Sequence, residues 1–195
     1  MAKLTFLIGG ARSGKSTYAE LLAKQHPGNV LYIATAQALD PEMVERIEKH
    51  KEQRPGEWRT LEMPRRLGDQ INQHIQAADL ILLDCLTMLV SNVVLEAGGD
   101  LDEPDEAGAT QAVDSEIEML VKAIQSSQAD WIIVSNEVGM GLVPPYPIGR
   151  IYRDLLGWAN RKIADLSDEI YLLVAGMVLP LHELGTPFSA DSETS

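Results

Sequence analysis

The segment from Gly9 to Ser16 has the residue types and the spacing of a phosphate-binding loop. It fits the pattern G-x-x-x-x-G-K-[ST], with an apolar run before it and a helical pattern after it. Glycines allow backbone N–H groups to surround phosphate oxygens, and the N-terminus of the following helix adds partial positive charge. Lys15 can reach the β- and γ-phosphates. The chain is therefore predicted to bind a nucleoside triphosphate through Gly9, Gly10, Ala11, Arg12, Ser13, Gly14, Lys15 and Ser16.

Two oxygen donors are candidate magnesium ligands. The hydroxyl of Ser16 is the ligand that the phosphate-loop pattern supplies. Asp84 ends the apolar run 80–83, downstream of the loop, where a second acidic residue orients Mg²⁺ or its water. The alternative for Asp84 is an aspartate that caps the following helix. We favour the metal role.

A basic segment stands out in an acidic chain. Between Arg46 and Arg66 there are seven Lys or Arg and four Glu, a net charge of +3, whereas the whole chain carries −13. His50 lies within it, and neighbouring cations favour a neutral, nucleophilic imidazole. A solvated helix face with i, i+4 ion pairs would explain the same pattern. The spacing leaves open whether His50 is catalytic or only a phosphate contact.

Polar residues near the last strong strand are weaker candidates. Asn136 and Glu137 follow the apolar run 131–134, so they are expected at the sheet edge where ligands bind in open α/β folds. A plain turn is the alternative. Arg150, Arg153 and Asn160 fall near one helical face and could contact phosphate or substrate, with ion pairing as the competing explanation.

Apolar runs and helical patterns alternate along the chain. Strands are predicted at 4–8, 30–34, 58–63, 80–84, 131–134, 169–174 and 178–181, and helices at 17–25, 40–53, 67–75, 87–97, 113–126 and 148–166. This alternation indicates an α/β fold with a mostly parallel sheet and helices on both faces. One domain is expected over 1–182, followed by a disordered tail over 183–195.

Composition excludes several classes of partner. The charge of −13 opposes binding to nucleic acid or to an anionic membrane. Cys85 is the single cysteine, which fits a reducing cytosol, and no apolar run is long enough for a membrane span. No signal peptide is expected. The protein is predicted to be cytoplasmic.

Five segments in order resemble one family. They are 9–16, Tyr32-Ile33-Ala34-Thr35-Ala36, the residues from Arg46 to Glu62 that include His50, Leu83-Asp84-Cys85-Leu86-Thr87, and Ser135-Asn136-Glu137-Val138-Gly139. Together they are similar to the bifunctional adenosylcobinamide kinase / adenosylcobinamide-phosphate guanylyltransferase family of cobalamin biosynthesis. The resemblance covers about residues 4–180 and implies a P-loop NTPase-like, RecA-like fold.

The resemblance also implies a reaction and its residues. Members phosphorylate adenosylcobinamide with ATP or GTP, then attack the α-phosphate of GTP with a histidine, release pyrophosphate and pass GMP to adenosylcobinamide phosphate. His50 matches that histidine. The family's nucleotide contacts match Ala34, Thr35, Ala36, Lys51, Glu52, Gln53, Arg54, Glu62 and Asp84. Family members are typically homotrimers.

Two other functions are alternatives to this one. A small-molecule kinase without guanylyltransferase activity would use the same loop, with His50 as a phosphate contact only. A GTP-dependent switch is disfavoured, because the chain has no Asn-Lys-x-Asp motif and Asp84 is not followed by x-x-Gly.

Overall fold

A computed structural model describes residues 2–37, 51 and 54–186. The strands are β1 (Leu4–Gly9), β2 (Val30–Ala34), β3 (Arg59–Glu62), β4 (Leu80–Asp84), β5 (Asp130–Asn136), β6 (Glu169–Val174) and β7 (Met177–Pro180). The helices are α1 (Lys15–Gln25), α2 (Leu67–Gln70), α3 (Leu86–Gly98), α4 (Glu106–Ser126), α5 (Pro147–Ala164) and α6 (Leu181–Leu184), with 3₁₀ turns at Ile71–Gln73 and Ile75–Ala77.

These strands form one sheet in the order β3-β2-β4-β5-β1-β6-β7. Neighbouring strands are parallel, except that β7 runs antiparallel to β6. The central strands are buried along almost their whole length, as expected of parallel strands that are covered on both sides. The predicted α/β fold with a mostly parallel sheet is confirmed.

Helices cover both faces of the sheet. Alternate strand side chains such as Phe6 and Leu83 point to the face covered by α2, α3, α4 and α5, where the larger apolar core lies. The intervening side chains, such as Leu7 and Leu82, pack with α1 in a smaller core on the other face. The loop that joins β1 to α1 therefore connects a strand in the centre of the sheet to the helix that covers the smaller core.

Several predicted helices have different bounds. The predicted helix 40–53 lies outside the described residues, apart from Lys51. The predicted helix 67–75 is broken into α2 and two 3₁₀ turns. The long helix begins at Glu106 and not at 113, because the carboxylate of Asp105 accepts a 2.9 Å hydrogen bond from the N–H of Gly108 and caps it. Residues 106–112, which lie outside every predicted element, thus belong to this helix.

The described end of the chain differs in detail from the predicted tail. Helix α6 occupies Leu181–Leu184, and residues 187–195 lie outside the described residues. Within the described ranges, no helix is both long enough and apolar enough to cross a membrane.

A buried carboxylate fixes the start of α2. Glu116 lies on α4, is 5% exposed, and accepts hydrogen bonds from the backbone N–H groups of Arg66 at 2.9 Å, Leu67 at 2.7 Å and Gly68 at 3.4 Å. Arg66 itself has φ of 54°, in the left-handed region. Glu116 thus satisfies N–H groups that the first turn of a helix leaves without an intrahelical partner.

We expect Glu116→Ala to destabilise the fold by about 3 kcal/mol, because it leaves buried N–H groups without an acceptor. Glu118→Ala, at an exposed position of the same helix, should change the free energy of unfolding by no more than about 0.5 kcal/mol. Urea unfolding followed by circular dichroism measures both variants. Equal stabilities would show that the carboxylate does not hold α2.

Candidate nucleotide-binding site

The sheet register brings predicted site residues to one edge. Glu62, Ala34 and Asp84 are direct neighbours across β3, β2 and β4. Gly9, at the end of β1, pairs with Asn136 at the end of β5. All of these positions lie at the carboxyl ends of parallel strands, where ligands bind in open α/β sheets. Asn136 lies at the end of its strand, as its place after an apolar run predicts.

The loop from Gly9 to Ser16 is tightly constrained. A Cβ at Gly9 would lie 2.2 Å from the carbonyl oxygen of Leu173, so only glycine fits beside β6. Gly14 has φ of 99° and stands at the N-cap of α1, where the left-handed conformation favours glycine. Ser16 lies in the first turn of that helix.

Lys15 is held inside the loop. Its side chain is 6% exposed, and its Nζ donates to the carbonyl oxygen of Gly10 at 2.6 Å and to Oγ of Ser13 at 3.4 Å. A buried ammonium at the N-terminus of a helix concentrates positive charge where the backbone N–H groups of the loop converge. The arrangement suits the phosphates of a nucleotide.

A hairpin turn supports the loop from the side. The turn between β6 and β7 has two residues with positive φ, Ala175 at 51° and Gly176 at 79°. The N–H of Gly176 donates to the carbonyl oxygen of Ser13 at 3.1 Å. The hairpin therefore supports the phosphate loop by a backbone hydrogen bond, a contact that no sequence pattern predicts.

Asp84 lies at the same edge and is partly buried. Its Oδ2 accepts a 2.8 Å hydrogen bond from the hydroxyl of Tyr32 on β2. Burial, reinforced by the neighbouring Asp84 carboxylate, raises the pKa of Tyr32, so this hydroxyl stays protonated and acts as the donor. The carboxylate is thus oriented by a neighbour that sequence analysis did not single out.

The family positions at the end of β2 bond to backbone groups of neighbouring segments. Thr35 is fully buried, and its hydroxyl accepts from the N–H of Cys85 at 2.8 Å and donates to the carbonyl of Cys85 at 2.7 Å. The carbonyl of Ala34 accepts from the N–H of Met63 at 2.8 Å. These bonds join β2 to the chain segments that follow β4 and β3. Ala36 follows directly and is partly exposed.

Asn92 is a positioning residue that the sequence analysis missed. It is 5% exposed on α3, and its Nδ2 donates to the carbonyls of Thr35 and Pro64, each at 2.9 Å. A lone asparagine within the apolar pattern of this helix was the available signal, because a buried amide there requires polar partners.

A second part of the site lies beside β3. A cavity of about 390 Å³ is lined by Lys51, Arg54, Pro55, Gly56, Trp58, Thr60 and Glu62. Lys51 pairs with Glu62, and the guanidinium carbon of Arg54 lies 3.5 Å from the centroid of the Tyr32 ring. Within the described part of the chain, Nε and Nη1 of Arg54 are buried without a hydrogen-bond partner. Such N–H groups suit an anionic ligand.

His50, Glu52 and Gln53 lie outside the described residues. The structure therefore describes the phosphate loop, Asp84 and the cavity beside β3, but not the predicted nucleophile. Burial raises the pKa of the Cys85 thiol to about 12, so the thiol is protonated at neutral pH and is a weak nucleophile.

The residues of α5 that were candidates for phosphate contacts bond to groups of the protein itself. Asn160 is 5% exposed; its Oδ1 accepts from Oγ of Ser135 at 2.6 Å and its Nδ2 donates to the carbonyl of Asn136 at 3.0 Å. Arg150 donates to the carbonyl of Pro145 at 2.9 Å, and Arg153 pairs with its neighbour Asp154. Both ends of the Asn160 amide thus hold the end of β5.

Comparison with known proteins gives consistent matches. Over residues 5–181 the chain matches the family described as cobinamide kinase / cobinamide phosphate guanyltransferase. It is 44% identical over 176 residues to the bifunctional adenosylcobalamin biosynthesis protein CobU of Salmonella typhimurium, over 89% of this chain and 97% of that protein. It is 42% identical to CobU of Escherichia coli over 177 residues, which cover 89% of this chain and 97% of that protein. For CobP of Pseudomonas aeruginosa the identity is 41% over 175 residues, which cover 90% of this chain and 95% of that protein.

Similarity among solved structures extends further than sequence similarity. An ATPase from the type III secretion system of pathogenic bacteria matches with a TM-score of 0.52 at 11% identity, over 95% of this chain and 59% of that one. This likeness concerns the fold, and it agrees with the predicted P-loop NTPase-like arrangement.

Proposed function

This chain belongs to the cobinamide kinase / cobinamide phosphate guanyltransferase family, and we propose that it carries out both reactions at one nucleotide site. In the first it phosphorylates adenosylcobinamide with ATP or GTP. In the second it transfers GMP from GTP to adenosylcobinamide phosphate, giving adenosylcobinamide-GDP and pyrophosphate. The observation that carries the proposal is the shared sheet edge of Lys15, Asp84 and the cavity beside β3.

The kinase step requires positioning and charge neutralisation. The acceptor hydroxyl oxygen forms a bond to the γ-phosphorus, the bond between that phosphorus and the β–γ bridging oxygen breaks, and the hydroxyl proton is released. Charge accumulates on the bridging and γ-oxygens during this step. The ammonium of Lys15 and the loop N–H groups lie where they would stabilise that charge.

The guanylyl step requires a nucleophile. A neutral imidazole nitrogen of His50 forms a bond to the α-phosphorus of GTP and pyrophosphate leaves with the bonding electrons. A phosphate oxygen of adenosylcobinamide phosphate then attacks the same phosphorus and releases the imidazole. We assign the departing pyrophosphate to Lys15, Lys51 and Arg54, because these cations surround the edge at which the triphosphate would lie. Glu52, Gln53 and Glu62 complete the family's nucleotide contacts.

Magnesium is proposed as the metal of both steps. The hydroxyl of Ser16 and the carboxylate of Asp84 are hard oxygen donors of the kind that Mg²⁺ prefers, and they fit an ion that takes its other ligands from phosphate and water. Among the described residues no group of three or more His, Cys, Asp or Glu could hold a metal. Bound there, Mg²⁺ would neutralise phosphate charge.

Three further features are proposed, the first on the family resemblance and the other two on composition and sequence pattern. We propose that the protein is a homotrimer with subunit contacts around the nucleotide site. We also propose that it works in the cytoplasm, where ATP and GTP are available, as a domain over 1–182 with a C-terminal tail over 183–195.

Product analysis tests the proposed function. Purified protein with adenosylcobinamide, ATP and Mg²⁺ should yield adenosylcobinamide phosphate, and later addition of GTP should yield adenosylcobinamide-GDP and pyrophosphate. Chromatography with mass detection resolves the three corrinoids. Accumulation of the phosphate alone, at every GTP concentration, would identify a kinase without guanylyltransferase activity. If neither adenosylcobinamide nor adenosylcobinamide phosphate were converted, the proposal as a whole would be contradicted.

A further inference from the structure

We propose that Tyr32 is a positioning residue that serves both halves of the site, its hydroxyl holding Asp84 for the metal and its ring holding Arg54 for the nucleotide phosphates. The inference rests on the proposed function in taking Asp84 as a metal ligand and Arg54 as a phosphate contact. The contacts themselves are those of the described residues.

The hydroxyl of Tyr32 reaches along the sheet to Asp84. Tyr32 on β2 pairs with Leu82 on β4, and Asp84 lies two positions after Leu82. The side chains of Tyr32 and Asp84 therefore point to the same face of the sheet, the one covered by α1. The ring spans this distance, and its hydroxyl donates to Oδ2 of Asp84 at 2.8 Å. Tyr32 is 2% exposed, which fixes its rotamer and leaves the carboxylate little freedom to rotate.

The ring of the same residue carries Arg54. The guanidinium carbon lies 3.5 Å from the ring centroid, and in the described ranges Nε and Nη1 have no hydrogen-bond partner although both are buried. A cation–π contact can offset part of the cost of burying the charge, but it satisfies no N–H group. The guanidinium is therefore held in place with N–H groups still to be satisfied by an anion in the adjoining cavity, which Arg54 itself lines.

Neighbouring groups keep the ring in this position. The Trp58 ring stacks on Tyr32 with centroids 6.4 Å apart and an interplanar angle of 22°. Among the described residues, the charged groups that face Tyr32 are Asp84, Arg54 and Glu20, and Glu20 is 7% exposed on α1. The hydroxyl of Tyr32 acts on Asp84 and its ring acts on Arg54. Substitutions that remove only the hydroxyl, or the hydroxyl and the ring together, should therefore have different effects on binding.

Binding measurements separate the effect of the Tyr32 hydroxyl from the effect of its ring. The ligand is the αβ-methylene analogue of GTP, and its binding is measured without turnover by titration calorimetry at varied Mg²⁺. Tyr32→Phe removes the hydroxyl and keeps the ring. It should lower the affinity for Mg²⁺ in the nucleotide complex about tenfold, as expected on losing the partner of a metal-ligating carboxylate, and leave nucleotide affinity at saturating Mg²⁺ unchanged. Tyr32→Leu should in addition weaken nucleotide affinity at saturating Mg²⁺ about tenfold.

Controls distinguish positioning from general destabilisation. Tyr171→Phe removes another strand tyrosine hydroxyl, which bonds to Glu169, and should leave both affinities unchanged. Tyr32→Phe should have no effect on Mg²⁺ affinity in an Asp84→Asn background. If Tyr32→Leu does not fold, Tyr32→Met takes its place, because methionine fills irregular space.

Two results would overturn the inference. The first is a Tyr32→Phe protein with unchanged Mg²⁺ dependence, and the second is a ring-deleted protein whose nucleotide affinity equals that of Tyr32→Phe. Absence of cobinamide turnover would contradict the proposed function and leave these binding measurements valid, so the two failures are distinguishable.

Discussion

Lys15→Ala should abolish phosphoryl transfer and guanylyl transfer together, each by at least about a thousandfold. The ammonium of Lys15 is buried within the phosphate loop, 2.6 Å from the carbonyl oxygen of Gly10. In the proposed mechanism it stabilises the negative charge on the leaving group of both reactions, the nucleoside diphosphate in the first and pyrophosphate in the second. Alanine keeps the helix and removes the charge. Initial rates of both half-reactions, with corrinoid products separated by chromatography, measure the effect.

Lys24→Ala is the matched control for Lys15→Ala. Lys24 lies in the last turn of the same helix and is exposed, so its loss should leave both rates within about twofold, in line with the small effects of surface substitutions. Loss of only one activity in Lys15→Ala would show that the two reactions use different phosphate sites.

His50→Ala should eliminate covalent GMP on the protein while leaving the kinase rate within about threefold. The nucleophile forms the bond to the α-phosphorus, so a variant without the imidazole should form no adduct. Intact-protein mass spectrometry after incubation with GTP and Mg²⁺ detects the acid-labile adduct, whose loss in the variant should be complete.

A second histidine substitution controls for nonspecific effects. His182 is exposed near the described end of the chain, and His182→Ala should keep full labelling. Retained labelling in His50→Ala would remove His50 from its proposed role and direct attention to another nucleophile. Loss of the kinase reaction as well would indicate that His50 contacts phosphate in both steps.

The sequence predicted the parts of the site that depend on local pattern. The phosphate loop is defined by glycines at positions that leave no room for a side chain. Gly9 is an example, because a Cβ there would clash with the backbone of Leu173. Asp84 was predicted from its place after an apolar run, and the register of β4 confirms its position at the edge. Strands that are buried on both faces are short apolar runs, which made the sheet predictable.

Contacts between distant segments were not predictable in this way. Periodicity placed Asn160 on a helical face but could not tell that this face packs against β5, where the amide bonds to Ser135 and Asn136. The link from Tyr32 to Asp84 depends on strand register, which no local pattern specifies. Glu116 did offer a signal, because it lies three residues after Val113 and one before Ile117 on the apolar stripe of α4.

The central claim is that one nucleotide site serves both reactions, and inhibition by one competitor tests it most directly. The βγ-imido analogue of ATP cannot donate its γ-phosphoryl group, and it should compete with ATP in the kinase reaction and with GTP in protein labelling. The account predicts the same inhibition constant in both assays. Two constants that differ by more than about tenfold, or labelling that the analogue does not inhibit, would contradict it.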